Sequence, residues 1–251
     1  MDNTMRFSDR VENYILYRPH YPPEIITFLK TEIGFNSHIP VADIGSGTGI
    51  SSEIFLQNGN SVYAVEPNEE MRKAAEKIFH GNKSFISVNG TAEATTLSDN
   101  SIQLIVAGQA FHWFDKIHCH KEFQRIAVAG SYLLLMWNER KLESHFQQAY
   151  EKMLKEFGVD YEKVHHRNVD EKTMGEFFAP FSYSMHTFSN VQRFDFEGLK
   201  GRLLSSSFIS LENTAKYEAM LSRLRQIFDE FSKDSQIEFA YHCKIYYGKI
   251  K

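Results

Sequence analysis

Val41-Ala42-Asp43-Ile44-Gly45-Ser46-Gly47-Thr48-Gly49 decides the fold: a short apolar run enters three glycines spaced by single residues, and a helical pattern begins at Ile50. Glycine at a strand-to-helix turn accepts positive φ and leaves the backbone bare, so a nucleotide-like ligand can reach the main chain there. A glycine triplet alone also serves merely to shape a tight turn, and the flanking sequence must decide between the two.

Outward from this loop, apolar runs at 41–44, 61–65, 84–88, 102–107 and 132–137 read as strands, and the segments 50–58, 68–79 and 115–127 between them read as helices. Asn68 and Asp115 stand where N-caps belong, and Gly59, Gly81 and Gly130 follow the expected helix ends. Upstream, Pro22-Pro23 opens a helix carrying Ile25, Ile26, Leu29 and Ile33, stopped at Gly34. Downstream come a helix with Leu142, Phe146, Tyr150, Met153 and Phe157 on one side, an extended run at 183–196, a helix at 213–231, and a strand at 237–247 that alternates strictly. Strand-helix alternation of this kind gives an α/β architecture: a seven-stranded, mostly parallel sheet flanked by helices.

One domain over 1–251 is expected, with a helical segment at 1–35, a ligand-binding core at 36–140, and a helical cap insertion at 197–235 before the last strand. Phe177, Phe178, Phe181, Phe194, Phe196 and Phe208 read as crowding around that cap, and His165-His166-Arg167-Asn168 as a surface connection.

The loop's spacing discriminates among ligands. A nicotinamide fingerprint, G-x-G-x-x-G, requires glycine at position 50 after Gly45 and Gly47, where this chain has Ile50, so an oxidoreductase is disfavoured. Asp43 places a carboxylate near the loop, which repels a pyrophosphate and suits a ligand bearing positive charge, such as the ammonium and sulfonium of S-adenosylmethionine. Glu66 ends the second strand, where a carboxylate accepts both ribose hydroxyls in this topology.

With DIGSGTG at 43–49, VYAVEPNEEM at 62–71 and NGTAEATTLSDNSIQLIVAGQAFHWFD at 89–115, the chain resembles the class I S-adenosylmethionine-dependent methyltransferases, in the small-molecule branch often called methyltransferase type 11. That resemblance implies a Rossmann-like fold with S-adenosylmethionine on Asp43, Gly45, Ser46, Gly47, Thr48 and Gly49. It further implies that Glu66 holds the ribose, Pro67 and Met71 flank the adenine, Thr91, Ala92 and Glu93 line the adenine edge, and Gln109 and Ala110 border the methionine moiety. Where many relatives carry aspartate after the glycine, this chain has Thr91, so Glu93 or backbone groups take its part. The leading string from Phe7 through Pro22 resembles a segment that folds over the cofactor. Independently, Arg18 beside Tyr17 and Tyr21 is either a carboxylate clamp or a solvated arginine.

A sulfonium methyl arrives activated, so the protein mainly aligns a nucleophile and excludes water. His112, after the fourth strand, is the candidate general base, or else has no catalytic part. With Trp113 it forms the candidate acceptor pocket, although Phe111-His112-Trp113-Phe114 equally suits core packing. His118, Cys119 and His120 diverge around a helix and cannot converge on one ion, so no metal is expected.

The formal charge of −4 supplies no strong attraction for nucleic acid, and no apolar stretch reaches the ~20 residues that cross a bilayer. With two cysteines outside any CxxC pair and no apolar signal segment at the start, the expected setting is cytoplasmic and the expected partner a small-molecule acceptor. A cofactor-binding regulator without catalysis is the alternative, because no residue is unambiguously catalytic.

Overall fold

The structure is a computed structural model that describes residues 11–159, 161, 170–206, 208–209 and 215–251. The connection at His165-His166-Arg167-Asn168 and the start of the leading string lie outside the described residues.

Five strands run parallel: β1 (Val41–Ile44), β2 (Val62–Val65), β3 (Phe85–Val88), β4 (Ile102–Gly108) and β5 (Ala127–Arg140). Strands β6 (Tyr183–Phe194) and β7 (Ile237–Lys249) complete the sheet in the order β3-β2-β1-β4-β5-β7-β6, with β7 antiparallel to both neighbours. The chain winds one way from β1 to β3 and the other way from β4 onward. The carboxyl ends of β1 and β4 therefore flank the crevice where open α/β sheets bind ligands.

Along the chain the helices are α1 (Val11–Tyr17), α2 (Glu24–Ile33), α3 (Ile50–Gln57), α4 (Glu69–Ile78), α5 (Lys116–Ile126), α6 (His145–Phe157), α7 (Glu171–Phe178), α8 (Phe196–Leu204) and α9 (Ala215–Phe231). Local chemistry sets several starts. Asn68 Oδ1 accepts the Met71 amide at the head of α4, and Asp115 accepts the amides of Ile117 and His118 at the head of α5. Gly34 closes α2 in the left-handed region at φ 67°.

Successive residues of the central strands face opposite sides, and each side buries its own helices. Val41, Val62, Leu104, Val106, Leu134 and Met136 pack on α2 and α3, whereas Ala42, Ile44, Ile105, Ala107, Leu133 and Leu135 pack on α5 and α7. Strand β7 buries its odd-numbered residues in two different cores. Cys243 and Ile245 join the α2–α3 side, while Ile237, Phe239 and Tyr241 join a third core built from α6, α8 and α9.

The structure departs from the sequence reading in four places. Strand β5 spans 127–140 rather than 132–137, because it starts directly at the end of α5 and passes through a register shift opposite Ile102 and Leu104; Gly130, at φ 81°, belongs to that strand and not to a helix end. Leu142 precedes α6, whose N-cap is Ser144. Helix α7 was not anticipated, since Glu171-Lys172 and Thr173 dilute its apolar signal. Its Phe177 and Phe178 are buried with Phe111, Phe123 and Trp137 against the sheet, whereas Phe194, Phe196 and Phe208 pack with α6, α8 and α9, so the expected aromatic crowd is two separate groups.

Candidate active site

The glycine loop owes its shape to three residues at positive φ: Gly45 at 69°, Gly47 at 56° and Gly49 at 86°. A Cβ on Gly45 would sit 2.7 Å from Ala110 Cβ, and one on Gly49 would overlap the Phe79 ring. Gly47 differs, because a Cβ there meets nothing within 4 Å. Its open side faces the crevice.

Asp43 lies beneath this loop, fully buried, with Oδ2 accepting the hydroxyls of Ser51 and Ser52 at 2.7 Å each. Burial pushes its carboxyl up to about 6 even though both serines favour the charged form. The side chain therefore ties β1 to the first turn of α3.

Glu66 closes the other flank of the loop. One carboxylate oxygen accepts the Gly47 amide and the other the Asn68 amide, both at 2.8 Å. Burial raises its pKa, opposed by those two amides. Around it a cavity of about 190 Å³ is walled by Gly47, Pro67, Met71, Thr91, Ala92, Glu93, Ala110, Trp113 and Phe114. The wall is mostly apolar with two oriented carboxylates, Glu66 and Glu93, which suits a heteroaromatic ring joined to a sugar. Glu93 also accepts the Asp115 amide at 2.9 Å and so ties the wall to α5.

A second cavity, of about 110 Å³, shares Tyr14, Gly45, Gly108 and Gln109 with the first and extends toward α8. Its further wall carries Arg18, Tyr21, Ser46, Asn138, Arg140, Tyr161, Arg202 and Ser206. Gly108 is required at the junction, because a Cβ would lie 2.8 Å from Ser51 Cβ and 2.9 Å from the Tyr21 hydroxyl. Gln109 holds positive φ of 58° there, with its side chain donating to the Asn138 carbonyl at 3.2 Å. Asn138 in turn donates to the carbonyls of Pro19 and His20, pinning the strap before α2 over the carboxyl end of β5.

Of the residues singled out in the sequence, the structure brings Arg18, Tyr21, Gly45, Ser46, Gly47, Glu66, Pro67, Met71, Thr91, Ala92, Glu93, Gln109, Ala110 and Trp113 onto these two walls. Asp43, Thr48 and Gly49 support the loop from behind, and Tyr17 packs on Gly201 of α8. His112 lies on neither wall; its ring lies beside that of Trp113, with centroids 4.6 Å apart and planes tilted by 44°. Trp113 faces the Glu66 cavity, not the arginine-lined one. Sequence reasoning missed Asn138, Arg140, Tyr161, Arg202 and Ser206. Asn138 and Arg140 end the fifth strand at the ligand-binding edge, a signal present in the sequence, whereas Arg202 on α8 carried none.

Residues 42–135 match the family described as a methyltransferase domain, and that stretch contains the glycine loop, Glu66 and the 89–115 segment. Over residues 42–135 the chain therefore carries a methyltransferase domain. It is 25% identical over 240 residues to an uncharacterized methyltransferase of Schizosaccharomyces pombe, covering 93% of this chain and 92% of that one. An uncharacterized methyltransferase of Mycobacterium tuberculosis is 33% identical over 139 residues, 55% of this chain and 54% of its own. A provisionally named type II methyltransferase from Anaeromyxobacter dehalogenans shares the fold with TM-score 0.69 at 18% identity, covering 93% of this chain and 98% of that one.

The residues present fit the methyltransferase cofactor. Glu66 uses two of its roughly four acceptor positions on backbone amides and retains two for vicinal hydroxyls. Gly47 lines the cavity and a Cβ there would meet no protein atom within 4 Å, so this side of the loop is open to a ligand. Among the described helices none is long and apolar enough to cross a membrane.

Proposed function

We propose that this methyltransferase transfers a methyl group in line to a small-molecule acceptor bound in the arginine-lined cavity. The observation that carries the reading is the meeting of two chemically different cavities at Gly45, Gly108 and Gln109. When bound, S-adenosylmethionine supplies a methyl group already activated on a sulfonium. The chain's own residues bind, orient and exclude water. Glu66 takes the ribose, Pro67, Met71, Ala92, Trp113 and Phe114 enclose the adenine, Thr91 and Glu93 line its edge, and Ser46, Gln109, Ala110 and Arg18 border the methionine end.

The described part of the 1–35 segment covers the cofactor through Tyr14, which lines both cavities, and α8 and α9 of the 197–235 cap close over the acceptor. Positioning accounts for the catalysis, since alignment alone supplies on the order of 7–11 kcal/mol. No imidazole or carboxylate is found on the second wall among the described residues.

Incubation with methyl-labelled S-adenosylmethionine and a small-molecule extract tests the reading. Label is expected in the dialysable fraction; label recovered only on protein or nucleic acid would overturn the acceptor class.

A further inference from the structure

Two guanidinium groups in the second cavity have no carboxylate partner among the described residues. Arg202 is 5% exposed, and its recorded partners are neutral: the Tyr241 hydroxyl at 3.2 Å from Nε and Ser206 Oγ at 3.4 Å from Nη1. Its other amino group has no partner among the described residues. Arg18 donates from Nη2 to the Ser205 carbonyl at 2.8 Å, and its Nε is buried without a hydrogen-bond partner. Arg140 differs, since Glu151 lies 2.6 Å from it.

An uncompensated buried charge is among the least favourable features a fold can hold. Here two such charges face one cavity: burial together with Arg202 draws the Arg18 pKa down to about 10, while Tyr241 and Tyr150 outweigh burial and hold that of Arg202 up. The cofactor relieves Arg18 alone, which borders its methionine carboxylate, and the ammonium and sulfonium it brings leave Arg202 without a negative partner.

We infer that the acceptor carries an oxyanion group, a carboxylate or a phosphate ester, gripped by Arg202 together with Ser206 at the α8 side of the cavity. This rests on the methyl-transfer reading above. The planar guanidinium fork matches either group with paired hydrogen bonds. Arg140, balanced by Glu151, holds the wall opposite without adding free charge.

The test is thermal unfolding of the full chain saturated with S-adenosylhomocysteine, at constant ionic strength, titrated with succinate, citrate, inorganic phosphate or neutral succinamide. S-adenosylhomocysteine alone raises Tm; its failure to do so would defeat the methyl-transfer reading, and the inference with it. At least one oxyanion then adds a saturable increment of about 3 °C at ten times its Kd, while succinamide and chloride add none. A response to succinate or citrate assigns a carboxylate, and a response to phosphate alone assigns a phosphate ester. Arg202→Met removes this increment and keeps the one due to S-adenosylhomocysteine. Arg202→Lys, which keeps the charge and loses the fork, weakens the oxyanion response if the methionine variant does not fold. An intact S-adenosylhomocysteine shift with no oxyanion increment, or an increment undiminished in both variants, would overturn the inference.

Discussion

The Glu66 carboxylate accepts the Gly47 amide at 2.8 Å, so the end of β2 and the middle of the glycine loop are locked to each other before any ligand arrives. The Asn68 amide holds the second oxygen at the same distance. A carboxylate fixed from both sides loses little rotamer freedom on binding a diol, which is how preorganisation raises affinity.

Gly47→Ala and Gly49→Ala separate ligand space from backbone packing. Both place a side chain at positive φ, at about 1–2 kcal/mol. Only Gly49→Ala also meets the Phe79 ring. Gly47→Ala is expected to lower Tm by a few degrees and to weaken S-adenosylhomocysteine by tenfold or more, because its Cβ enters the cavity. Gly49→Ala is expected to lose more Tm. Calorimetry and thermal unfolding on the pair give the result; equal Tm losses would be inconsistent with this packing.

Asp43 sets a pH dependence of stability. Its folded pKa of about 6 lies above the ordinary carboxyl value because burial opposes its charge. The folded state therefore binds the proton more tightly, so this group's contribution is full below about pH 4 and is lost as pH rises through about 6, on the order of 3 kcal/mol in total. Asp43→Asn is expected to flatten the decline in Tm between pH 5 and 7 relative to the wild type. Parallel profiles would show that Asp43 is not the titrating group.

Arg140→Met takes from the nearly buried Glu151 carboxylate the guanidinium 2.6 Å away and leaves it the Tyr161 hydroxyl at 2.7 Å, and breaking a buried ion pair ordinarily costs about 3–5 kcal/mol. A Tm loss of order 10 °C is expected, with much of it recovered in Arg140→Met/Glu151→Leu. Thermal unfolding of the single and double variants measures this; an additive double variant would mean the pair is not coupled.

His112→Asn distinguishes a base from a bystander. With His112 on neither cavity wall, methyl transfer to any acceptor found is expected to fall less than tenfold, against the roughly 10²–10⁴-fold that a general base supplies. A loss in that larger range would restore it as the base.

Much of the fold was legible because β1 through β4 and helices α2 through α5 carry agreeing signals of periodicity, caps and glycines, with Asn68 and Asp115 capping as their positions indicate. The Glu66 side of the site was legible for the same reason, since it is built from residues close to the strand ends. The arginine side was not. Arg202 and Tyr161 approach through tertiary packing of α8 and the connection after α6, and nothing local in the sequence marks a buried arginine as facing a cavity. Asp43 was read as a ligand neighbour, yet its partners are Ser51 and Ser52, a helix-to-strand tie that spacing alone does not reveal.

Isothermal titration of S-adenosylhomocysteine into the wild type and Glu66→Ala tests the central claim most directly. The expected result is one saturable site in the wild type and at least tenfold weaker binding in the variant, since each charged hydrogen bond lost contributes about 1.5–3 kcal/mol. Absence of saturable heat in the wild type, or equal affinity in the two proteins, would contradict the account.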